Sequence, residues 1–429
     1  MKPDDLRRLQ EKRLRRTVAR AYDNSKFWHT WLDQAGVKPG DIQRIEDLRK
    51  LPLCDKGYLM PQPIEDRVIG DPKGHVTAPT SGTTGERLYG YWSKAYDDYW
   101  ASIMYFRMRS LSGVGLFDQM IGLAYTIPRK PGQVRAPWSS LPIERRKAAL
   151  GTLEPVLSRI GRGVYNLQYL TYGIEEVLPE IYKACPEMIW GFTSLVRLLA
   201  DAVASGKASG LHPKVVLCGG DCLDRASRSY FESTFGCPTL QMYAANEVGF
   251  IAQECREKAG MHIMADSMIV EVLRDGEAVA PGEMGEFVVT PLLNDAMPMI
   301  RYRLGDVVRA TDEACPCGRT TPMLKSVEGR AEDLLVLGEG RMVSSLEIAS
   351  ILKADRTMLC QLVQEELGRF KLLVFSQDQP GVREAAMVSV EKLKGILGPE
   401  ASIDITVVGP REDKKKFRIT TSLLKPRLN

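Results

Sequence analysis

No run of about 18 apolar residues occurs anywhere in the 429-residue chain, which argues against a membrane-crossing helix. The opening stretch, MKPDDLRRLQEKRLRRTVARAYDN, lacks the apolar centre of a signal peptide. The expectation is a soluble, cytoplasmic protein with no membrane partner. Strong charge of one sign is missing too. With 58 Lys and Arg against 54 Asp and Glu, the net charge of +4 is too mild to suggest a nucleic-acid partner, and no helix-turn-helix or RNP-like signature accompanies it. The basic cluster from Arg7 to Arg20 interleaves with Leu6, Leu9, Leu14 and Val18, so it reads as the wet face of an amphipathic helix. A disulfide framework is lacking: nine cysteines is an odd number, and Cys54, Cys185, Cys218, Cys222, Cys237 and Cys360 have no framework-like spacing. Repeats and low-complexity tracts are absent, and 44% apolar residues suffice for a packed core.

What is present is a change of grammar along the chain. Residues 1–75 look helical and polar and end in a stretch punctuated by Pro52, Pro61 and Pro63. From about residue 90 to 240, helical patterns (Ile174 to Lys183, Leu195 to Ala204) alternate with short apolar runs (Pro186 to Phe192, Val215 to Leu217), as in α/β units covering a sheet. Ser267 to Leu293 reads as paired strands around a turn at Arg274-Asp275-Gly276. Beyond Gly329 the order becomes βαββαβ, with strands at Leu334–Leu337, Leu359–Gln364, Phe370–Ser376 and Ile403–Val408. The expected fold is therefore α/β: a large N-terminal domain (1–330) of β-sheets covered by helices, and a small ferredoxin-like α+β C-terminal domain (331–429).

Several polar motifs punctuate this framework. Thr80-Ser81-Gly82-Thr83-Thr84-Gly85-Glu86-Arg87 has the hydroxyls and glycines needed to wrap polyphosphate, but Glu86 excludes the Gly-Lys-Ser/Thr of a P-loop. Taken alone it reads equally as a solvated turn. Gly219-Gly220-Asp221 and Tyr243-Ala244-Ala245-Asn246-Glu247 follow, then Arg301-Tyr302-Arg303-Leu304-Gly305-Asp306, in which Asp306 has the chemistry to accept hydrogen bonds from a vicinal diol. Gly329-Arg330-Ala331-Glu332-Asp333 and Pro410 to Arg418, with three consecutive lysines, complete the series. Separately, Cys255, His262, Cys315 and Cys317 supply one imidazole and three thiols, a set suited to a closed tetrahedral Zn²⁺ site or, more plainly, to thiols packed around a Pro-Gly turn.

In this order the motifs resemble the phenylacetate-CoA ligase branch of the adenylate-forming superfamily, from the first helix almost to the C-terminus. The resemblance implies the adenylate-forming fold, and two half-reactions with ATP, Mg²⁺ and coenzyme A. A carboxylate attacks the α-phosphorus of ATP, expelling pyrophosphate; a thiol then attacks the acyl-adenylate. By the same resemblance Thr80 to Gly85 and Arg87 hold phosphates, with Glu86 standing where Lys is usual and Arg87 supplying a charge from the next position. Gly219, Gly220 and Asp221 flank adenine, on which Tyr243 stacks. Asn246 takes a hydroxyl position near the α-phosphate, Glu247 binds Mg²⁺, and Asp306 reads the ribose. Arg330 approaches ribose or phosphate, and Glu332 is the hinge, where Asp is usual. Lys415 bridges carboxylate and phosphate, with a one-residue ambiguity because Lys414 replaces Gly. Some members carry structural zinc at positions matching Cys255, His262, Cys315 and Cys317.

The acyl pocket precedes the adenine motif, where Tyr125, Trp190, Gly191 and Phe192 suit an aromatic acid; a buried core cluster would have the same composition. Arg129 and Lys130 would favour an extra acidic group, or simply line a wet loop. The acceptor stays open between CoA, an amine and a carrier-protein thiol. A catalytically weakened nucleotide-binding homologue is the rival suggested by Glu86 and Asn246, and a homodimer is left open.

Overall fold

Leu6, Leu14, Val18 and Ala21 recur at helical spacing and form the buried stripe of the first helix, Pro3–Asn24, whose first turn carries Asp4 and Asp5 against the helix dipole. In this computed structural model, residues 1–79, 88–115, 118–125, 165–170, 174–354, 358–376, 381–409 and 417–424 are described. The first helix lies along the main sheet, where Gln10 and Thr17 donate to the carbonyls of Met268 and Leu292.

A hairpin of β1 (Val76–Pro79) and β2 (Tyr89–Trp92) stands apart from the main sheet. Strands β3 (Met120–Tyr125), β4 (Tyr165–Leu170), β5 (Met188–Phe192), β6 (Val215–Gly219) and β7 (Thr239–Ala245) run parallel. The antiparallel half comprises β8 (Gly249–Glu254), β9 (Met261–Ile263), β10 (Met268–Arg274), β11 (Glu277–Ala278), β12 (Met284–Pro291), β13 (Tyr302–Ala310) and β14 (Met323–Arg330). Together they make one twelve-stranded sheet in the order β11-β10-β12-β13-β14-β9-β8-β7-β6-β5-β3-β4, which changes from parallel to antiparallel between β7 and β8.

Strand β6 is buried along its whole length, as expected of an apolar run covered on both faces. One covering layer is the helix pair Thr193–Ala204 and Arg225–Phe235, which contributes Leu195, Leu199, Phe231 and Phe235. The other includes the N-terminal helices and Lys94–Ser112, through Leu14, Val18, Trp28, Met108 and Leu111. Helix Arg225–Phe235 starts where Asp224 accepts from Ser227 N at 2.9 Å and ends at left-handed Gly236, so its position is fixed by local chemistry at both ends.

From Leu335 onward the chain builds a core of its own from Leu335, Ile348, Leu362, Phe370, Leu372, Leu393 and neighbours. This part is α+β as expected, but its strand order is not ferredoxin-like. Among the described residues, strand β15 (Leu335–Val336) pairs only with β16 (Met342–Val343) in a tight hairpin. The four-stranded sheet consists of β17 (Leu359–Glu366), β18 (Arg369–Phe375), β19 (Ser402–Val408) and β20 (Thr420–Ser422), in the order β19-β18-β17-β20. Two residues are too few to span a sheet, and the edge beside β17 is taken by β20, which runs parallel to it. All nine cysteines are free, and Cys185 is exposed. Among the described residues no helix is long and apolar enough to cross a membrane.

Candidate active site

The carboxyl ends of β5, β6 and β7 carry Phe192, Gly219 and Tyr243-Ala244-Ala245, so the chain itself brings these motifs to one edge of the parallel half, where ligands of open α/β sheets bind. Gly220 follows β6 with φ +75°, and a Cβ there would lie 2.3 Å from the Phe192 ring. Only glycine fits both the backbone and the space. Asp221, next in sequence, is held by the start of helix Thr193–Ala204: Ser194 Oγ donates to its carboxylate at 2.6 Å and Thr193 Oγ1 to its carbonyl at 3.1 Å.

The antiparallel half supplies the other wall. Strands β13 and β14 are in a register that sets Asp306 directly opposite Arg330, and the two side chains pair at 3.1 Å. Tyr243 Oη donates to the second oxygen of Asp306 at 2.6 Å, and Arg330 Nη1 donates to the Leu304 carbonyl at 2.7 Å. Burial, then Asp306, pushes the Tyr243 phenol well above its usual range, so it remains a donor. Burial opposes the charge on Arg330, but Asp306, Tyr243, Glu247 and Glu332 together outweigh it and the guanidinium is held charged.

Glu247 sits in the turn between β7 and β8, at the parallel-to-antiparallel switch, and is 9% exposed. Burial raises its carboxyl above the usual value, with Arg330 and Lys56 opposing and Asp306 reinforcing the rise. A buried carboxylate of this kind is poised for a cation. Asn246, beside it, is exposed. Glu332 follows β14 and pairs with Arg418, which also lies 3.4 Å from Asp333. At Gly329, φ is +120° and a Cβ would meet Ser345 Oγ at 2.2 Å, so a glycine is needed where the C-terminal part packs against the end of β14.

Several expected site residues fall elsewhere. Thr80, Ser81, Gly82, Thr83, Thr84, Gly85, Glu86, Arg87 and Lys415 lie outside the described residues, as does the side chain of Tyr125. Trp190, Gly191 and Phe192 lie together at the end of β5, with Trp190 and Phe192 half-buried. Trp190 packs with the core under the N-terminal helices and Phe192 with the core under the helix pair. Gly191 faces Leu123, whose Cβ is 2.9 Å from where its own Cβ would be, so it serves close strand packing. Arg301 turns away from the site to make a double hydrogen bond with Glu271, at 3.1 and 2.8 Å.

Sequence reasoning passed over Thr193 and Ser194, whose position at a helix start just after a strand end was the available signal. It also passed over Lys353, which forms a 3.1 Å ion pair with fully buried Asp224 and so joins the C-terminal part to the helix after β6. A lysine near a helix end carries no such signal.

The second polar cluster lies farther along the antiparallel half. Cys255, His262, Cys315 and Cys317 present their ligand atoms within 4.8 Å of one another. Cys255 Sγ is 3.5 Å from Cys315 Sγ, and Cys317 Sγ is 3.4 Å from His262 Nε2. These spacings are close to the edges of a tetrahedron with metal–ligand bonds of about 2.0–2.3 Å. Burial lowers the His262 pKa and keeps the ring neutral, while Nδ1 lies 3.0 Å from Thr321 Oγ1, leaving Nε2 toward the thiols. The donor set fits a closed zinc site.

No family model matches the chain. Phenylacetate-coenzyme A ligase of Thermus thermophilus is 29% identical over 362 residues, covering 82% of this chain and 76% of that protein. The Escherichia coli phenylacetate-coenzyme A ligase is 28% identical over 352 residues, with 78% and 73% covered. In structure, 2-hydroxyisobutyryl-CoA ligase in its postadenylation state with 2-HIB-AMP matches with a TM-score of 0.75 at 18% identity, covering 99% of this chain and 90% of that one.

Proposed function

We propose that this chain, a homologue of the phenylacetate-coenzyme A ligases with the fold of adenylate-forming CoA ligases, is an AMP-forming acid–CoA ligase. It joins a carboxylic acid to ATP as an acyl-adenylate and passes the acyl group to CoA. The observation that carries the reading is the Tyr243–Asp306–Arg330 cluster, which joins β7 of the parallel half to β13 and β14 of the antiparallel half, with Glu247 buried in the turn that follows β7.

In this reading Asp306 accepts the ribose hydroxyls, fixed in place by the Tyr243 phenol and the Arg330 guanidinium. Gly219 and Gly220 leave room for adenine along the backbone, and Tyr243 borders the ring. Glu247 and Asn246 face the α-phosphate, and Glu247 would hold Mg²⁺, which when bound neutralises phosphate charge during carboxylate attack. Lys415 supplies the further cation between the two anions. The unit from residue 331 onward rotates about Glu332, breaking the Lys353–Asp224 pair and withdrawing Lys415 so that the CoA thiol reaches the acyl carbon. Cys255, His262, Cys315 and Cys317 would hold a structural Zn²⁺ that ties β8 and β9 to the Cys315–Gly318 turn. We assign an aromatic acid as the substrate class on the strength of the phenylacetate-activating relatives.

The test is AMP and pyrophosphate formation with a panel of carboxylic acids, followed by addition of CoA, an amine or a carrier protein. Acid-dependent AMP formation completed by a CoA thioester supports the reading. Hydrolysis to ADP, or no acid dependence, contradicts it.

A further inference from the structure

Arg67 closes the short helix Ile64–Arg67 just before the β1–β2 hairpin. The residue is 7% exposed, and its Nε and Nη1 are sealed from solvent with no hydrogen-bond partner. Among the described residues it forms no ion pair. The two other buried arginines are satisfied differently. Arg301 meets Glu271 and the Leu51 carbonyl, and Arg109, although its Nε is also without a hydrogen-bond partner, spreads its charge over the carbonyls of Gly115 and Asp118 at 2.5 and 2.7 Å. A buried guanidinium without a counter-charge is strongly unfavourable and persists where an anion completes it.

Its surroundings locate that anion. Ile69 N donates to the Ala296 carbonyl at 2.7 Å, and Asn294 Nδ2 donates to the carbonyls of Tyr91 and Met297 at 2.9 and 3.2 Å. The segment after Arg67, the turn at residues 294–297 and strand β2 are thus stitched together. The titratable groups facing the guanidinium are the phenols of Tyr91, on β2, and Tyr302, at the start of β13. Tyr302 is 2% exposed, and Glu247 is the first of the charged groups acting on it. The helix that follows β2 reaches the turn that holds Glu247, where Tyr96 Oη donates to the Val248 carbonyl at 3.3 Å, so the segments stitched around Arg67 and the Glu247 turn adjoin the same hairpin. In sequence, β1 and β2 flank the hydroxyl- and glycine-rich run that carries Glu86 in place of a lysine.

We propose that Arg67 is a buried diphosphate-binding residue that holds the β- and γ-phosphates of ATP and then the departing pyrophosphate, supplying from beneath the hairpin the positive charge that Glu86 does not. This rests on the adenylation reading and extends it to a residue outside the five sequence motifs. The diphosphate reaches Arg67 either as part of ATP or as free pyrophosphate. Both present the same paired phosphoryl groups to a planar donor fork.

The experiment compares full-length wild type, Arg67→Met and Arg67→Lys by thermal melting and by titration with inorganic pyrophosphate, ATP and AMP, each with Mg²⁺. Ligand-free Arg67→Met is expected to melt at or above the wild-type temperature, because an apolar chain of similar length removes an uncompensated charge. Its affinity for pyrophosphate and ATP should fall about 10- to 100-fold, the range of a charge-assisted hydrogen bond, with AMP affinity unchanged. Arg67→Lys should retain part of the pyrophosphate affinity. A loss confined to ATP would mean that only the bound nucleotide is held, and an equal loss for both ligands that free pyrophosphate shares the site. Undiminished pyrophosphate and ATP binding by Arg67→Met would overturn the proposal, as would failure of that variant to fold, since either makes Arg67 structural. A wild type that binds AMP but neither ATP nor pyrophosphate would overturn it alone. One that binds none of the three would remove the ligase reading as well.

Discussion

At the Tyr243–Asp306–Arg330 cluster the polar contacts run to an ionised group, whereas at Cys255, His262, Cys315 and Cys317 the contacts are among soft, polarisable ligands around a neutral imidazole. The first cluster joins β7 of the parallel half to β13 and β14, whereas the second belongs to the antiparallel half of the same sheet. The first includes Tyr243 near the carboxyl end of β7 and has beside it Glu247, a buried carboxylate shifted toward its neutral form. The second is closed: its four donors face one another, and burial pushes the Cys255 thiol up to about 12. A charged cluster beside a buried carboxylate suits a ligand that comes and goes, and a mutually satisfied ring of donors suits one that stays. Changes at the first cluster should therefore register in rate, and changes at the second in stability.

The largest effect is expected outside both clusters but on the ligand side. Lys415→Ala should lower acyl-adenylate formation about a thousandfold while sparing thioester formation from supplied acyl-adenylate, as single-turnover assays of the two half-reactions would reveal. If Lys414→Ala or Lys416→Ala gives that selective loss instead, the assignment moves by one residue. Next comes Asp306→Asn, which keeps the shape and removes the charge. Its kcat/KM for ATP should fall about a hundredfold, and Asp306→Ala should in addition lose about 3 kcal/mol of stability by stranding Arg330. An Asp306→Asn protein whose kcat/KM for ATP stayed at the wild-type value would dissolve the distinction between the clusters.

Metal removal should act the other way. Protein purified without added metal is expected to carry about one Zn²⁺ per chain, and Cys315→Ser should lose it and melt about 5 °C lower with its rate per folded molecule unchanged. Elemental analysis finding no zinc in a fully stable protein would remove the site. The smallest effect is in pH dependence. Because burial raises the folded-state pKa of Glu247, its contribution to stability is fully present below the unfolded value near 4.5 and is lost as pH rises through the folded value. Ligand-free Glu247→Gln should accordingly show a flatter melting profile than wild type over the range just above pH 4.5, and an identical slope would contradict the assignment.

Much of this was legible in the sequence because it rests on local rules. The first helix follows from the spacing of Leu6, Leu14 and Val18, and the need for Gly220 from a backbone turn that excludes a Cβ. The thiols and imidazole could be grouped by spacing before any coordinates located them. The sequence was silent where distant pairing decides. Leu335 and Val336 look like a strand of the C-terminal sheet, yet Thr420–Ser422 takes the place beside β17. Trp190 and Phe192 are two residues apart, yet the strand end sends them to different cores. Arg67 has no periodic or motif signal at all, since only tertiary burial makes its charge conspicuous.

The central claim is most directly tested by acid-dependent exchange of radiolabelled pyrophosphate into ATP by the wild-type enzyme with Mg²⁺ and no CoA. Exchange that appears only with a carboxylic acid, and is abolished in Lys415→Ala and strongly reduced in Asp306→Asn, is the expected result. Failure of any acid in a broad panel to promote exchange, or exchange indifferent to both substitutions, would contradict the account.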